Sequence, residues 1–289
     1  MTALNEWVGG ARPKTLLAAV APVLVGTSLA GVSFNPVRAL LALIVSLALQ
    51  IAVNYANDYS DGIKGIDEDR IGPIRLVGQK LATPRAVKNA AYIFFLIAAV
   101  AGLILALQTS LWLILVGAIA ILAAWTYTGG PKPYGYSALG EVSVFLFFGV
   151  VATAGSYYVQ SQEITFTSLV LSVPIGALAC AILGLNNLRD LEKDKISKKN
   201  TLAVILGDRA ARIFYVLLLM IAHLASLIAT FASPYILFTL VLLPVSGRLS
   251  RTVLNGAKGK ALIPLLGNTG KLQMGFAFFI SIALFASSR

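Results

Sequence analysis

The chain has 289 residues, of which 58% are hydrophobic and only 12% are charged. Soluble domains are about 45–50% apolar and about 25% charged, so this composition excludes an ordinary soluble protein. The apolar stretches have the length of roughly 20 residues that a membrane-spanning helix needs, and they lack the alternation of barrel strands. We therefore predict an all-α integral membrane protein in which residues 1–289 form a single domain.

Apolar runs broken by turn signals predict about nine transmembrane helices around a central cavity. The clearest breaks are Asn35-Pro36, Gly129-Gly130-Pro131 and Ser233-Pro234, since glycine and proline mark turns. In chain order the predicted spans are 15–34, 37–57, 87–107, 110–128, 138–159, 166–187, 211–231, 234–250 and 271–287.

The basic residues predict how these spans are oriented. If the N-terminus is inside, the outer connections and their flanks hold only Arg38 and Arg289, whereas the inner ones hold all the rest of the 23 Lys and Arg residues. Basic loops mark the cytoplasmic side of a membrane protein. This predicts an N-in, C-out topology, and it explains the net charge of +11 without a nucleic-acid partner.

Eight of the twelve acidic residues fall in two clusters, 54–69 and 187–194, which follow the second and sixth spans. Asn54, Asn57, Asp58 and Asp61 are spaced so that they share one face of a helix. Residues Asn187, Asp190 and Asp194 repeat the same spacing. The clusters therefore indicate a weak internal repeat, in which two pseudo-repeated halves face one cavity from its cytoplasmic end.

The side chains of the two clusters indicate the ligand. Ionisable groups beside a membrane core are costly and tend to be functional, and carboxylate and amide oxygens suit Mg²⁺, which commonly bridges protein carboxylates to substrate phosphates. Arg70, Arg75 and Lys199 lie near the acids in sequence and are suited to bind anionic oxygens. Together with an apolar cavity, these groups predict a site for a lipid diphosphate.

The clusters also carry a family resemblance. Asn57-Asp58-Tyr-Ser-Asp61 and Asp190-x-x-x-Asp194 resemble the two motifs of the UbiA superfamily of intramembrane prenyltransferases. The third acid of the first motif departs from the general pattern, because Gly65 stands in its place and the acid follows as Asp67. This shifted form is similar to the menaquinone branch of the superfamily, as are 11–15, 69–75, 127–131 and 199–202, and the resemblance covers essentially the whole chain.

The resemblance implies an enzyme that joins polyprenyl diphosphate to 1,4-dihydroxy-2-naphthoate with loss of CO₂ and diphosphate, using Mg²⁺. It implies a protein of the lipid bilayer of the cell (plasma) membrane, with an active site that faces the cytoplasm. The residues expected in catalysis are Asp58, Asp61, Asp190 and Asp194. Those expected to hold metal are Asn57, Asp61, Asp67, Asp190 and Asp194. Those expected to bind substrate are Asn54, Arg70, Arg75, Asn187, Lys199 and Glu141, although a structural hydrogen bond suits Glu141 equally well.

Three alternatives stay open from the sequence. The first is a relative of the same fold with another acceptor, such as 4-hydroxybenzoate, homogentisate or a glycerophosphate. The second is a CDP-alcohol phosphotransferase, for which Asp61-Gly62 is present but the contiguous acidic motif is not. The third is a secondary transporter, although the acids lie nearer the span ends than the midplane sites typical of that class.

Overall fold

The computed structural model describes residues 2–65 and 72–287. Within these ranges the regular secondary structure is helical apart from a single β-bridge between Ser137 and Asn200. The helices are α1 (Leu4–Gly10), α2 (Leu17–Leu29), α3 (Pro36–Ile63), α4 (Pro84–Gln108), α5 (Trp112–Thr126), α6 (Gly140–Val144), α7 (Ala152–Ser161), α8 (Phe166–Ile196), α9 (Leu202–Ile228), α10 (Leu243–Leu254) and α11 (Leu262–Ser287).

Among the described residues, seven helices or continuous helical segments are long and apolar enough to cross a membrane, and an eighth candidate is the pair Leu4–Thr15 and Leu17–Leu29, which bends by 50°. Leucines of α4 and α5 stay exposed, for example Leu107 at 69% and Leu115 at 64%, as expected for surfaces that face lipid. The prediction of an all-α membrane protein is confirmed. Because α5 has only 15 residues, or about 22 Å of helix, the number of nine crossings stays a prediction.

Several helices extend beyond the predicted spans. The third helix continues to Ile63, the eighth to Ile196, and α9 begins at Leu202 rather than at 211. The acidic residues of both clusters that the structure describes, Asp58 and Asp61 in α3 and Asp190, Glu192 and Asp194 in α8, therefore lie inside continuous helices. Gly207, with φ of +77°, breaks the first turn of α9 from the rest, which is a conformation that glycine adopts without a steric penalty.

The packing separates an N-terminal group of helices from a C-terminal group. In the first, α3 packs along α4 and the short α5 rests on both. In the second, α8 packs along α9 and α11, and 72% of the apolar window of α8 is buried, the largest share of the seven long segments. The second helix joins the groups, because it contacts α3, α7, α8 and α11.

One wall of the molecule contains a π-helix. Between α6 and α7, residues Phe145–Val151 form π-helical turns, so that Gly140–Ser161 is one helical segment with a widened middle. Gly149 in this segment approaches Gly176 of α8 so closely that a Cβ at Gly149 would lie 2.8 Å from the Gly176 Cα. The widened turns are therefore packed tightly against the central helix.

A cavity of about 340 Å³ lies between α2, α3, α4, α5, the α6–α7 segment and α8. Most of its wall is apolar, and its far end contains Val23, Leu105 and Val159, which belong to one buried cluster. Apart from Ser46 and Ser156, the polar side chains of the wall are those of Arg12, Thr15, Gln50, Asn54, Asn57, Tyr127, Tyr134, Ser143 and Asn186. We call the region lined by these residues the polar end.

Candidate functional site

The first acidic cluster divides between the cavity and its surroundings. Asn54 and Asn57 of α3 line the polar end. The Asn54 amide donates to the Ala11 carbonyl oxygen at 2.9 Å and so ties α3 to the N-terminal segment. Asn57 Oδ1 accepts a hydrogen bond of 2.6 Å from the Thr128 hydroxyl. Both amides therefore help to join α3 to the chain segments that border the cavity.

Asp58 takes a different position from the predicted one. Its side chain is fully buried, and its two oxygens accept the backbone N–H groups of Leu76 at 2.7 Å and Val77 at 3.1 Å. Because Asp58 directly follows Asn57, it is rotated by roughly 100° from Asn57 around the helix axis, and its side chain reaches the segment 72–83. The observed contacts of Asp58 anchor a segment, and the role in catalysis expected for it stays a prediction.

Asp61 lies at a cluster of cationic and aromatic groups. The Tyr136 hydroxyl donates to Asp61 Oδ1 at 2.5 Å, and Lys199 Nζ lies 3.6 Å from Oδ2. The ammonium groups of Lys64 and Lys199 lie 4.9 and 4.7 Å from the Tyr136 ring centroid, within the range of a cation–π interaction. Burial lowers the pKa of Lys64, while the Asp61 carboxylate opposes that effect.

The second acidic cluster lies on α8. Asp190 receives two hydrogen bonds from Arg189, of 2.9 Å from Nε and 2.6 Å from Nη2, and both side chains are almost completely buried. Asp194 is buried one turn later, and its carbonyl oxygen accepts the Lys199 backbone N–H at 2.8 Å. The loop that carries Lys199 is therefore fixed to α8 at one end and reaches Asp61 of α3 with its side chain.

The two acidic clusters are linked by Lys199. Its ammonium group lies 3.6 Å from Asp61 of α3, and its backbone N–H donates to the Asp194 carbonyl oxygen of α8. Tyr127, which follows α5, lines the polar end of the cavity. The structure thus brings together Asp61, Asp194 and Lys199.

Of the remaining predicted residues, the structure describes three. Asn187 donates to Glu141 Oε1 at 2.9 Å, so these two are partners of each other. Arg75 is buried beside Asp58. Asp67 and Arg70 lie outside the described residues.

The donor chemistry fits a hard divalent cation. Asn57, Asp61, Asp190 and Asp194 offer amide and carboxylate oxygens, which are the ligands that Mg²⁺ prefers. Across the described ranges, no three His, Cys, Asp or Glu side chains approach closely enough to form a preformed metal cage. An arrangement with few protein ligands is consistent with Mg²⁺, which retains waters and binds substrate phosphate oxygens.

Sequence reasoning missed several neighbours of the predicted residues. Tyr136 and Thr128 lie in the segment between α5 and α6, and each bonds a side chain of α3. Neither stands in a periodic pattern, and only the glycines and prolines around them indicated that the segment turns. Arg189, which pairs with Asp190, resembles in the sequence any other of the basic residues that predict the cytoplasmic side.

Comparison with known proteins identifies the family. A family model described as "UbiA prenyltransferase family" matches residues 19–286. The chain is 48% identical to 1,4-dihydroxy-2-naphthoate octaprenyltransferase of Mycobacterium tuberculosis over 98% of both chains. It is 37% identical to the protein of that name from Escherichia coli, over 97% of this chain and 96% of the other.

Solved structures agree with this fold. A UbiA homolog from Aeropyrum pernix K1 matches with a TM-score of 0.71 at 13% identity, over 96% of this chain and 98% of the other. A UbiA homolog from Archaeoglobus fulgidus, bound to GPP and Mg²⁺, matches with a TM-score of 0.68 at 15% identity, over 97% of this chain and 99% of the other. The family model, the identities over almost the full chain and the shared fold together show that this chain belongs to the UbiA prenyltransferase family.

Proposed function

We propose that the protein transfers a polyprenyl group from polyprenyl diphosphate to 1,4-dihydroxy-2-naphthoate, with loss of CO₂ and diphosphate, to give demethylmenaquinol. The observation that carries this proposal is that Lys199 links the two acidic helices, with its ammonium group 3.6 Å from Asp61 and its backbone N–H donating to the Asp194 carbonyl oxygen. Asn57, about one turn before Asp61 on α3, lines the apolar cavity. The full-length relatives named for octaprenyl transfer to dihydroxynaphthoate support this acceptor.

The cavity suits the two halves of the donor. Its apolar wall matches a prenyl chain, since burial of apolar surface contributes about 25 cal/mol per Å². Arg189 and Lys199 are buried beside the acidic residues, so charged partners for the diphosphate are already in place where water is scarce. Electrostatic interactions are stronger in such an environment than in bulk water, which favours holding the diphosphate there.

The residues that would hold Mg²⁺ are Asn57, Asp61, Asp190 and Asp194, and the sequence adds Asp67 to this set. When bound, the ion supplies charge stabilisation to the departing diphosphate. A UbiA neighbour solved with GPP and Mg²⁺ supports this assignment at the level of the fold. The protein's own contribution is to keep the leaving group beside Lys199 and Arg189 while the prenyl chain stays in the apolar cavity.

The acceptor is an aromatic acid, and the polar end offers groups of matching chemistry. Arg12 and the amides of Gln50 and Asn186 line it, so that a carboxylate and ring hydroxyls can both find hydrogen-bond donors. An electron-rich ring held there would face the prenyl carbon released at the diphosphate. Because charged substrates arrive from the cytoplasm, we also propose that this end faces the cytoplasm and that the protein resides in the cell membrane.

The test is the mass of the product formed by the purified protein in detergent with Mg²⁺ and a labelled polyprenyl diphosphate. With 1,4-dihydroxy-2-naphthoate, the expected product has gained the prenyl group and lost CO₂. Prenylation of 4-hydroxybenzoate or homogentisate instead, with no product from dihydroxynaphthoate, would contradict the proposed acceptor.

Three variants test the proposed site. Asp61→Asn and Asp190→Asn are expected to lose turnover by at least about 100-fold, as expected when a group aligned for transition-state charge is removed. Glu192→Gln is the matched control, because this acid lies on α8 between the two motif acids but its side chain is 81% exposed. Full activity in both aspartate variants would contradict the site.

A further inference from the structure

Glu141 is a buried carboxylate that the proposed prenyl transfer has not yet used. It stands in the first turn of α6 and is 6% exposed. Oε1 accepts the Asn187 amide at 2.9 Å, whereas Oε2 is buried without a hydrogen-bond donor among the described residues. An unsatisfied buried carboxylate oxygen is costly, so this one requires an explanation.

The Tyr127 hydroxyl is the neighbouring group from which Glu141 Oε2 can accept a hydrogen bond. Glu141 directly follows Gly140 at the start of α6. A Cβ added at Gly140 would lie only 2.9 Å from the Tyr127 hydroxyl oxygen. The hydroxyl therefore approaches the first turn of α6, next to Glu141, because position 140 has no side chain.

Tyr127 also faces the substrate cavity. Its side chain lines the polar end. Nearby Tyr134 lines the same end, but its hydroxyl already donates to the Ala123 carbonyl oxygen at 2.9 Å and lies 2.8 Å from the Ser143 hydroxyl. No comparable protein partner for the Tyr127 hydroxyl is found in residues 2–65 and 72–287, which leaves it available to a ligand.

We propose that Tyr127 contacts the aromatic acceptor by accepting a hydrogen bond from one of its ring hydroxyls while donating its own proton to Glu141. Asn187 holds the carboxylate in place, so Glu141 and Asn187 are positioning residues. The direction of the bonds follows from the groups, because a carboxylate oxygen can only accept a hydrogen bond, so Tyr127 donates to Glu141 and its own hydroxyl oxygen is left to accept. The inference rests on the proposed aromatic acceptor and names the group that selects it.

This arrangement predicts selection for a hydroxylated ring. A site built to bond a substrate hydroxyl rejects an analogue that lacks it, because the protein group is then left buried and unpaired. Accepting the bond also increases electron density on the hydroxyl oxygen, which favours attack by the ring. Tyr127 and Glu141 thus affect the acceptor without any direct role in holding the diphosphate.

The experiment measures how binding depends on each ring hydroxyl. The probes are 1,4-dihydroxy-2-naphthoate as substrate, and 1-hydroxy-2-naphthoate and 4-hydroxy-2-naphthoate as competitive inhibitors. In Tyr127→Phe and Glu141→Gln, the KM for dihydroxynaphthoate is expected to rise about 10-fold or more. The inhibition constant of the analogue that keeps the contacted hydroxyl is expected to rise by a similar factor. The other analogue, which lacks the contacted hydroxyl, is expected to bind as it does to the unchanged protein, and the KM for the donor should not change.

Gly140→Ala provides a separate test that leaves both polar groups in place. The added methyl displaces the Tyr127 hydroxyl, so this variant should lose the same hydroxyl preference. Gly184→Ala on α8 is its control, because a Cβ there meets nothing within 4 Å. Tyr92→Phe, at an exposed tyrosine of α4, and Glu192→Gln control for the other two substitutions, and thermal melting in detergent checks folding.

Equal losses for both analogues, or unchanged constants in Tyr127→Phe and Gly140→Ala, would overturn the inference. If Glu141→Gln fails to fold, the other two variants still decide. Failure of the proposed function looks different, because the unchanged protein would then leave dihydroxynaphthoate unprenylated. In that case 4-hydroxybenzoate and benzoate form the matched pair that tests the Tyr127 contact.

Discussion

Replacing Asp58 tests whether this residue acts by anchoring the segment 72–83 or by the catalytic role predicted from the sequence. In Asp58→Ala the backbone N–H groups of Leu76 and Val77 lose their acceptor. Each is buried, and a buried donor left unsatisfied costs about 1–3 kcal/mol, so the two together cost about 2–6 kcal/mol. Since 1.4 kcal/mol is a factor of ten, the population in which the segment 72–83 has detached from α3 should rise at least about 30-fold.

Limited trypsin digestion in detergent measures this population, because the Arg75–Leu76 bond is buried while the segment is attached. Cleavage at that bond, followed by mass spectrometry, should accelerate by the same factor when detachment is fast and reversible. Asp58→Asn retains one acceptor oxygen, so its cleavage rate should lie between those of Asp58→Ala and the unchanged protein. Glu192→Ala, at an exposed acid, should be cleaved at the unchanged rate.

The outcome for turnover completes this test. If anchoring is the role of Asp58, Asp58→Asn should keep far more activity than Asp61→Asn. An Asp58→Ala protein that resists trypsin as well as the unchanged protein does, yet has lost all turnover, would refute the reasoning and return Asp58 to the chemistry.

Three further predictions concern packing, the cavity and the ligands. A Cβ at Gly26 would collide with the Thr153 carbonyl oxygen where α2 meets α7, so Gly26→Ala should destabilise the protein by about 1–3 kcal/mol and lower its melting temperature in detergent; an unchanged melting temperature would contradict this contact. Val159→Phe narrows the apolar far end, so kcat/KM should fall more for long donors than for geranyl diphosphate, and an equal fall would show that the chain does not reach this end. Mg²⁺ with inorganic diphosphate should raise the melting temperature, since a ligand that binds the folded state stabilises it; Asp61→Asn should weaken this shift, and an equal shift in that variant would count against the metal site.

The sequence predicted the helical class and the acidic residues of the site for physical reasons. Apolar runs of bilayer length have few alternatives to helices, because backbone groups in lipid must bond within their own segment. Asp61 and Asp194 were recognisable because charges next to such runs are rare. The predicted repeat of the two halves stays a prediction, as does the orientation of the site.

What the sequence did not reveal depends on contacts between distant residues. Helical spacing placed Asp58 near Asn57, but it gave no sign that the segment 72–83 packs against the side of α3 that carries Asp58. Glu141 was recognised as unusual, yet its partner Asn187 lies on another helix and shares no local pattern with it. The predicted spans ended before the observed ends of α3 and α8, because polar residues resemble loop residues when their partners inside the protein are unknown.

The π-helical turns at Phe145–Val151 have a consequence for how the chain tolerates changes in length. A π-helix accommodates an extra residue, so deletion of one residue there would convert it to α-helix without breaking the span. Because the wider turns hold the extra residue, α7 would keep nearly the same rotation relative to α6 after such a deletion. Ser143 and Gly155, which line the same cavity on the two sides of these turns, would still face it. Deletion of one residue from an α-helical part of this segment would instead rotate the helix that follows by roughly 100°, so the π-helical turns are the place where this wall tolerates a change in length.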